Sequence, residues 1–361
     1  MFRCCAGPPL IGSRFSRYVL REVGPLYLGG VLLFFFLQMT DYLSGTVGAF
    51  LSYHTGVLKA LTLLSYQLPN ILNRCLVLAV PFSLLLAFGR LAKDSELKAA
   101  ASGGLRPVTL LWPMLLPALL VGAAVYGNAG YLTPSGNAKY FRYFYTDIYN
   151  MAVPTPTTEN YAHAENGNFF TAGRIENLGN GSRNVSGLTG VVVQTPDGTY
   201  SAGSGRWDTA AKTWTLAGGY KVAPDGTITL LKTQPTFPQH DVVSRPPPPA
   251  DQSTTPQLRA QLAGQSAATE TYRRTAYELA RRSADPFTPL VFVLAAGALG
   301  LILTNRAWAV GAVILFLVAF YALWSTAPQL AAVGALSPLV AAWLPNGIFA
   351  AFGLLLAWRL R

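Results

Sequence analysis

A short charged segment separates two long apolar runs in the first third of the chain. The runs cover residues 76–88 and 108–125. Between them stand Arg90, Lys93, Asp94, Ser95, Glu96 and Lys98. Charges of this density are costly in lipid, so residues 90–104 are expected to form a short helix at the membrane surface. Such a helix offers charge-assisted contacts to a soluble partner; the alternative is a solvated loop against lipid headgroups.

Two ionisable residues fall inside predicted membrane segments. Asp41 ends the first apolar run, and Arg74 lies early in the second. A charge within a membrane by default marks a functional position that faces a cavity or a partner. The planar guanidinium of Arg74 suits the phosphate or carboxylate of an anionic lipid. The alternatives are that Arg74 extends to the membrane interface or pairs with Asp41.

Aromatic residues cluster just after the third apolar run. They are Tyr140, Phe141, Tyr143, Phe144, Tyr145 and Tyr149. An aromatic belt at the membrane interface is the ordinary interpretation, and contact with acyl chains is the alternative. The candidate lipid-binding residues are Arg74, Asp41, Tyr140 and Phe144.

The sequence shows no pattern typical of catalysis or metal binding. It lacks a Gly-x-x-x-x-Gly-Lys-[Ser/Thr] phosphate loop and a Gly-x-Ser-x-Gly nucleophile elbow. His54, His163 and His240 are too scattered for a metal site, and the three cysteines suggest no disulfide framework. We therefore predict no catalytic residue, no metal, no cofactor and no enzymatic activity, with any ATP used by a separate subunit.

Composition indicates a membrane protein. Of 361 residues, 51% are hydrophobic and only 12% are charged, against about 25% charged residues in soluble proteins. The net charge of +11 is explained by Lys and Arg that flank apolar segments, so nucleic-acid binding is not predicted. Six segments approach the length of about 20 residues that a bilayer requires. They are 24–43, 68–88, 108–126, 286–303, 308–323 and 339–358.

The distribution of Lys and Arg predicts the orientation. The N-terminal lead, residues 90–106, Arg306 and the C-terminal end carry most of the basic residues at one set of segment ends. Positive charge favours the cytoplasmic side, so both termini are expected there and the long insert is expected to be exported. Four arginines before the fourth segment run against this bias, but long exported domains do not follow the rule. They are Arg273, Arg274, Arg281 and Arg282.

The insert between the third and fourth segments changes character along its length. Short strand-like runs alternate with Pro-Asp-Gly turns at 196–198 and 224–226, which predicts a small all-β sandwich or roll. A polyproline linker and a polar, helix-capable segment follow. The predicted domains are 1–132, 133–250 (β), 251–285 (linker and helix) and 286–361. The fold class is an α-helical polytopic membrane protein with six transmembrane helices, three plus three, around an exported all-β domain.

Five patterns occur in order along the chain. They are Arg17-Tyr-Val-Leu-Arg-Glu22, Gly89-Arg-Leu through Asp94-Ser-Glu-Leu97 with Gly104, Trp214-Thr-Leu-x-x-Gly, Glu278 with Arg282-Ser-Ala-Asp-Pro286, and Trp343-Leu-Pro-Asn346. In these patterns the chain resembles the LptF/LptG (YjgP/YjgQ) permeases, which pair with an ATPase to extract lipopolysaccharide from the inner membrane. It departs from them in the second segment, where Val77 stands in place of a family proline, and near Asp41, where one branch carries lysines. The expected lipid is therefore lipopolysaccharide or another large envelope lipid.

The resemblance implies a transport subunit in the inner membrane with a periplasmic β-jellyroll. Its expected partners are a cytoplasmic ABC ATPase dimer of the LptB type, a second such permease or a copy of this chain, a jellyroll partner of the LptC/LptA type, and an anionic glycolipid. Glu96 would contact the ATPase, helped by the other polar residues of the segment. These are Ser95, Arg90, Lys93, Lys98 and Gly104. Jellyrolls of the relatives align edge to edge, and the runs 190–194 and 227–231 are candidate edges. The alternative function is a membrane-anchored binding or scaffold protein without transport.

Overall fold

Long helices account for most of the chain. The structure, a computed structural model, describes residues 9–53, 56–149, 157–177, 185–208, 210–240, 248–263, 269–303 and 306–360. Within these ranges there are ten α-helices: α1 Pro9–Ser52, α2 Val57–Lys93, α3 Glu96–Ser102, α4 Trp112–Gly127, α5 Thr133–Tyr143, α6 Thr255–Ala263, α7 Glu270–Ala284, α8 Thr288–Ile302, α9 Arg306–Ala332 and α10 Pro338–Arg359. Contacts divide the chain into a membrane unit, Met1–Met151 with Pro249–Arg361, and a β unit, Ala152–Pro248.

Six helical stretches of the described residues are long and apolar enough to cross a membrane. They are Phe15–Ser52, Val57–Lys93, Pro107–Ile148, Glu270–Ile302, Ala307–Ala332 and Pro338–Arg359. Each predicted segment lies within one of these stretches, apart from single residues at its ends. Three stretches precede the β unit and three follow it, so the predicted arrangement of six helices, three plus three, around an all-β insert is confirmed.

The third stretch is longer than the sequence predicts. An end at residue 126 is expected, yet π-helical turns at Asn128–Leu132 and Phe144–Ile148 join α4 and α5 into one helical path. The predicted domain boundary at 133 therefore falls inside this path. Contacts to α2 hold the polar part, because the buried Asn128 side chain donates to Pro69 O at 2.7 Å and Lys59 Nζ donates to Asp147 O at 2.9 Å. Apolarity alone does not predict a helix stabilised in this way.

Helix α2 lies at the centre of the membrane unit. It contacts α1, α5, α8 and α9, and its Phe88 and Leu84 are buried in the main apolar cluster. In the same cluster, the Phe292 ring of α8 lies 5.2 Å from Phe316, 4.7 Å from Phe320 and 6.3 Å from Phe349, centroid to centroid. All three pairs are edge-to-face, the geometry that aromatic quadrupoles favour. These contacts fix α8 against α9 and α10.

A buried amide connects α10 to the junction of α7 and α8 in the fourth membrane stretch. Asn346 Nδ2 donates to Ala284 O at 2.8 Å, and its Oδ1 accepts from Thr288 Oγ1 at 3.0 Å. The 3₁₀ turn Asp285–Phe287, between α7 and α8, leaves backbone groups without helical partners. The Asn346 side chain satisfies one of them, which explains why an asparagine stands at this position of the Trp-Leu-Pro-Asn pattern.

The β unit is one antiparallel sheet in the described residues. Its eight strands are β1 Thr157–Glu165, β2 Asn168–Asn177, β3 Val185–Thr195, β4 Gly198–Asp208, β5 Thr213–Leu216, β6 Tyr220–Val222, β7 Ile228–Leu230 and β8 Thr236–Pro238. The order is β1-β2-β3-β4-β5-β8, with β6 pairing β4 and β7 pairing β6. The β3–β4 turn and the β6–β7 turn coincide with the predicted Pro-Asp-Gly turns.

The core of the β unit explains the tryptophan pattern of the sequence. Trp214 pairs across the ladder with Trp207, and both are fully buried, with ring centroids 5.5 Å apart. Gly219 closes the same pattern with φ 112°, and a Cβ there would overlap Ser201 O. Only glycine combines this φ with so close an approach to β4.

Candidate functional site

The charged segment at 90–104 is a corner and not the single helix that the sequence predicts. Helix α2 continues through Arg90 to Lys93, and α3 begins at Glu96. Between them Ser95 has φ 58°, in the left-handed region, which ends α2 and turns the chain into α3. Residues 90–104 are called the α2–α3 corner below.

Two contacts tie the α2–α3 corner to the start of α1. Arg90 forms an ion pair with Glu22, whose side chain is mostly buried, and also lies 3.7 Å from Asp94, Nε to Oδ2. Glu96 Oε1 accepts from Tyr18 Oη at 3.1 Å. The corner is therefore held by polar contacts to α1, and a force on Glu96 or Arg90 would pass directly to that helix.

The remaining polar side chains of the corner point away from the membrane unit. Lys93, Ser95 and Lys98 are exposed, whereas Leu97 packs on the main apolar cluster. Gly104 has φ 86°, which suits the turn that leads out of α3 into the third membrane stretch. The arrangement is an anchored short helix with a free cationic face and a half-buried carboxylate, which can dock on a soluble protein but offers no reacting pair of groups.

The guanidinium of Arg74 lies over an aromatic ring of α9. Its Cζ is 5.8 Å from the Trp324 ring centroid, and Arg281 Cζ is 5.3 Å from the same centroid. Arg74 is exposed, and no carboxylate pairs with it in the described part of the chain. Asp41 is exposed on α1 and makes no ion pair with Arg74 there. The structure thus brings Arg74 to Trp324 and not to Asp41.

Polar partners engage the four arginines that run against the bias of positive charge, and the ionic network around Glu278 is mostly buried. Glu278 accepts from Arg281 at 3.0 Å (Nη2 to Oε2) and from Arg282 at 3.3 Å (Nε to Oε1). Arg281 Nε also lies 3.9 Å from Asp285 Oδ2. Arg274 pairs with Glu270, and Arg273 Nε donates to Ala332 O at 2.9 Å. Each of the four arginines therefore has a partner within its own unit: carboxylates compensate the charges of Arg274, Arg281 and Arg282, and a backbone carbonyl accepts from Arg273.

The aromatic residues after α4 pack mainly on one another. Tyr140 lies 5.7 Å from Tyr42 of α1 and 5.7 Å from Phe144, and Phe144 lies 4.6 Å from Tyr149, between centroids. Tyr149 in turn lies 4.8 Å from Tyr53, at the end of α1. Tyr140 and Phe144 are half-buried in this cluster, which joins α1 to α5. Their placement leaves only part of each ring for contact with lipid.

In the β unit, side-chain contacts connect β1 to the end of β8, two strands that share no backbone ladder. Strands β1 and β8 stand at the two ends of the strand order. Gln239, just after β8, donates to Tyr161 Oη of β1 at 2.8 Å, and the next residue, His240, donates its backbone N–H to Glu165 Oε2 at 2.9 Å. Its ring Nδ1 lies 2.8 Å from Glu165 Oε1. The seam between β1 and β8 is thus a set of polar contacts centred on one carboxylate.

The carboxylate of the seam makes the β unit sensitive to acid. The backbone N–H of His240, and then its ring, hold the pKa of Glu165 below its ordinary value of 4.5. A lowered pKa stabilises the folded state above the ordinary value, and this contribution is lost as pH falls below 4.5 through the folded value. We expect proteolysis between β8 and α6 to accelerate over that window in the full chain. Glu165→Gln should be cleaved faster at pH 7 and show a flatter pH profile.

A matched variant separates this effect from general acid unfolding. Glu176 of β2 forms an exposed ion pair with Arg174, at 3.1 Å, away from the seam. Glu176→Gln should retain the acid-dependent cleavage of the wild type. If the pH profiles of both variants match the wild type, Glu165 does not close the seam.

Sequence reasoning missed several residues of these sites. Tyr18 and Glu22 belong to the first family-like pattern, but nothing in the sequence pairs them with residues 68 to 78 positions later. Trp324 sits in an apolar run, where a tryptophan alone carries no signal. No group of three or more His, Cys, Asp or Glu in the described part of the chain could hold a metal.

Comparison with known proteins assigns the family. No curated protein matches the chain. The family model described as "Lipopolysaccharide export system permease LptF/LptG" matches residues 17–359. This match spans both the membrane unit and the β unit, from the Arg-Tyr pattern of α1 to the last turn of α10. With six apolar helical stretches around a β unit, the chain belongs to the LptF/LptG family of permeases.

Proposed function

We propose that this chain is the transmembrane subunit of an ABC exporter that extracts lipopolysaccharide, or a similar anionic glycolipid, from the inner membrane. The α2–α3 corner carries the proposal, because it is a short charged helix anchored on α1 and otherwise free to contact a soluble protein. Glu96, Ser95, Arg90, Lys93 and Lys98 would meet a cytoplasmic ATPase dimer of the LptB type, and Gly104 would shape the turn behind them. ATP hydrolysis would occur in that partner.

The decisive experiment is reconstitution. The chain, its permease partner and the ATPase would be placed in proteoliposomes with labelled lipopolysaccharide, and release to a soluble jellyroll acceptor would be followed. ATP-dependent release supports the exporter. A chain that binds the acceptor but neither retains the ATPase nor releases lipid would instead be the scaffold protein of the alternative function.

The proposed orientation places both termini and the α2–α3 corner in the cytoplasm and the β unit in the periplasm. Support comes from the Lys and Arg bias and from the partners found by the four opposing arginines. A cysteine at Asp225, in the β6–β7 turn, should react with an impermeant reagent in intact cells, whereas one at Lys98 should react only after lysis. Labelling of position 98 from outside would reverse the topology and remove the ATPase contact.

We further propose that the lipid cavity forms between this chain and a second permease or a copy of itself. Helices α1 and α9 bury the least of their apolar windows among the six stretches. Arg74 and Trp324 lie beside this loosely packed part, on α2 and α9. Arg74 would bind an anionic group of the lipid. Asp41, Tyr140 and Phe144 would line the same side, with the two rings contacting acyl chains through their exposed edges.

The role of Arg74 can be tested by its charge and its shape. Arg74→Ala should lower lipid crosslinking from a photoreactive residue at 324, and export, by about tenfold, because one charge-assisted contact is lost. Arg74→Lys should recover only part of both, since lysine supplies a point charge in place of a planar fork. Arg142→Ala, an exposed arginine of α5, should behave as wild type. Full rescue by lysine with unchanged crosslinks would mean that Arg74 only reaches the membrane interface.

The open edge of the β unit supports a jellyroll partner. Strand β3, which contains the candidate edge 190–194, is paired on both sides and is not an edge. Among the described strands, β7 pairs only with β6, and its Ile228 and Leu230 are 68% and 77% exposed. Strand addition needs such a free ladder with apolar side chains. We therefore propose β7, within the second candidate run, as the edge that meets an LptC/LptA-type partner.

A further inference from the structure

A second cavity in the membrane unit lies away from Arg74 and the α2–α3 corner. It measures about 470 Å³ and is bounded by α4, α6, α7 and the start of α10. Its depth in the membrane is indicated by three lining residues, Tyr126, Ser283 and Ser337. Each stands where an apolar run meets polar sequence: at the end of the third, just before the fourth and just before the sixth. The cavity is therefore at the depth of lipid headgroups.

The polar lining of this cavity is cationic. Arg259 and Arg282 line it, and no carboxylate does. Arg282 is almost fully buried and is fixed by Glu278 and by Ala250 O, to which it donates at 3.0 Å. Arg259 is exposed, and no ion pair engages it in the described residues. Arg282 is thus fixed in place with its charge compensated by Glu278, and Arg259 is available for a ligand.

Two further features favour an anion. The N-terminus of α10, a helix of 22 residues, borders the cavity and adds the partial positive charge of its first turn. The hydroxyl group of Tyr272 is also in the lining and can donate a hydrogen bond to a ligand, whereas those of Thr255 and Ser283 already donate to Gly130 O and Ala280 O. Guanidinium, hydroxyl and helix-end donors together are the groups that bind phosphate in proteins.

The rest of the lining is apolar and opens outward. Leu262 and Leu279 form part of the wall, and Leu339 at the rim is 61% exposed. Tyr126 at the other rim is 53% exposed. A ligand that filled the cavity would therefore have a phosphate on the arginine side and apolar matter on the leucine side, at the level of the bilayer surface.

We propose that this cavity binds the phosphate headgroup of a membrane glycerophospholipid, with Arg259 as its direct ligand. Arg282 acts as a positioning residue, because its contacts to Glu278, Ala250 O and Thr255 connect α7 to α6, the helix that carries Arg259. The site is independent of the lipid cavity proposed above, because no residue of α2 or α9 lines it. It would hold a resident phospholipid beside the start of α10, and its occupancy does not require an ATPase or export.

The test is a titration of the delipidated full chain in mild detergent, followed by native mass spectrometry. Phosphatidylglycerol should bind one molecule tightly to the wild type, and about tenfold more weakly to Arg259→Gln, since one charge-assisted contact is removed. Arg259→Lys should be intermediate. Arg142→Gln removes the same charge from exposed α5 and should bind as the wild type does. Equal elution of all variants in gel filtration verifies the fold.

Three ligands that each lack part of a phospholipid identify which chemical groups the cavity recognises. Diacylglycerol with the same acyl chains, glycerol 3-phosphate and inorganic phosphate should each bind much more weakly. Diacylglycerol binding as strong as that of phosphatidylglycerol would overturn the phosphate contact. If glycerol 3-phosphate or inorganic phosphate bound in a way that depends on Arg259 and phosphatidylglycerol did not, the ligand would be a soluble phosphate and the assignment to a membrane lipid would be overturned. Equal retention of phosphatidylglycerol by the wild type and Arg259→Gln would remove the site.

Discussion

Replacing Glu96 by lysine is expected to reduce retention of the ATPase by the purified chain about tenfold or more, and to abolish lipid export. The half-buried carboxylate sits at the first turn of α3, beside the exposed cations of the α2–α3 corner. Reversing its sign in a docked interface places like charges together, at a cost of several kcal/mol. The measurement is the ratio of ATPase to permease after co-expression and purification in mild detergent.

Two variants assign the loss to the interface. Tyr18→Phe removes the exposed hydrogen bond to Glu96 and keeps the carboxylate, and should retain the ATPase. Glu270→Lys places the same charge change on exposed α7 and should also retain it. Normal retention with Glu96→Lys, together with normal export, would show that α3 does not meet the ATPase.

Removing the carboxylate of Glu278 is expected to destabilise the membrane unit severely. In Glu278→Ala two guanidinium groups, one almost fully buried, lose their shared partner. Leaving buried charges unpaired costs about 3–5 kcal/mol. For a unit of this size, a loss of that order lowers the melting temperature by roughly 6–20 °C. Tryptophan fluorescence during heating in detergent measures the shift.

An exposed pair on the same helix provides the control. Glu270 lies one turn before Arg274, with Nε to Oε1 at 2.7 Å, and both side chains are more than half exposed. Such pairs contribute about 0.3–0.5 kcal/mol, so Glu270→Ala should melt within about 2 °C of the wild type. Comparable shifts for Glu270→Ala and Glu278→Ala would indicate that the network around Glu278 is solvated rather than buried.

The membrane fold is predictable from sequence wherever the signal is local. Apolar length locates six helices, and Pro-Asp-Gly turns locate two hairpins of the β unit. The helical extension to Ile148 is not local, because it depends on contacts of Asn128 and Asp147 with α2, an element from an earlier part of the chain. The break at Ser95 is hidden for another reason: serine gives no sequence signal for a left-handed φ, which glycine or asparagine would have given.

The candidate sites likewise contain residues that local sequence reveals and residues that it does not. The charges of the α2–α3 corner are visible in the sequence because an apolar background isolates them. Their partners Tyr18 and Glu22 are not visible, since hydrogen bonds and ion pairs between helices follow no rule of sequence spacing. Arg74 is likewise visible as a lone intramembrane charge, but its neighbour could not be inferred, and Asp41, the obvious counter-ion, does not contact it.

The central position of α2 has a consequence for biogenesis. Its inner face is covered by α8 and α9, yet residues 94–287 are synthesised before either helix exists. At about 5–20 residues per second, the nascent chain spends roughly 10–40 s with this face uncovered. During that time, α2 can pack only against helices of the first half, namely α1, α4 and α5. The first three membrane helices are therefore made before their packing against the last three can form. That packing is completed only after the whole β unit has been synthesised.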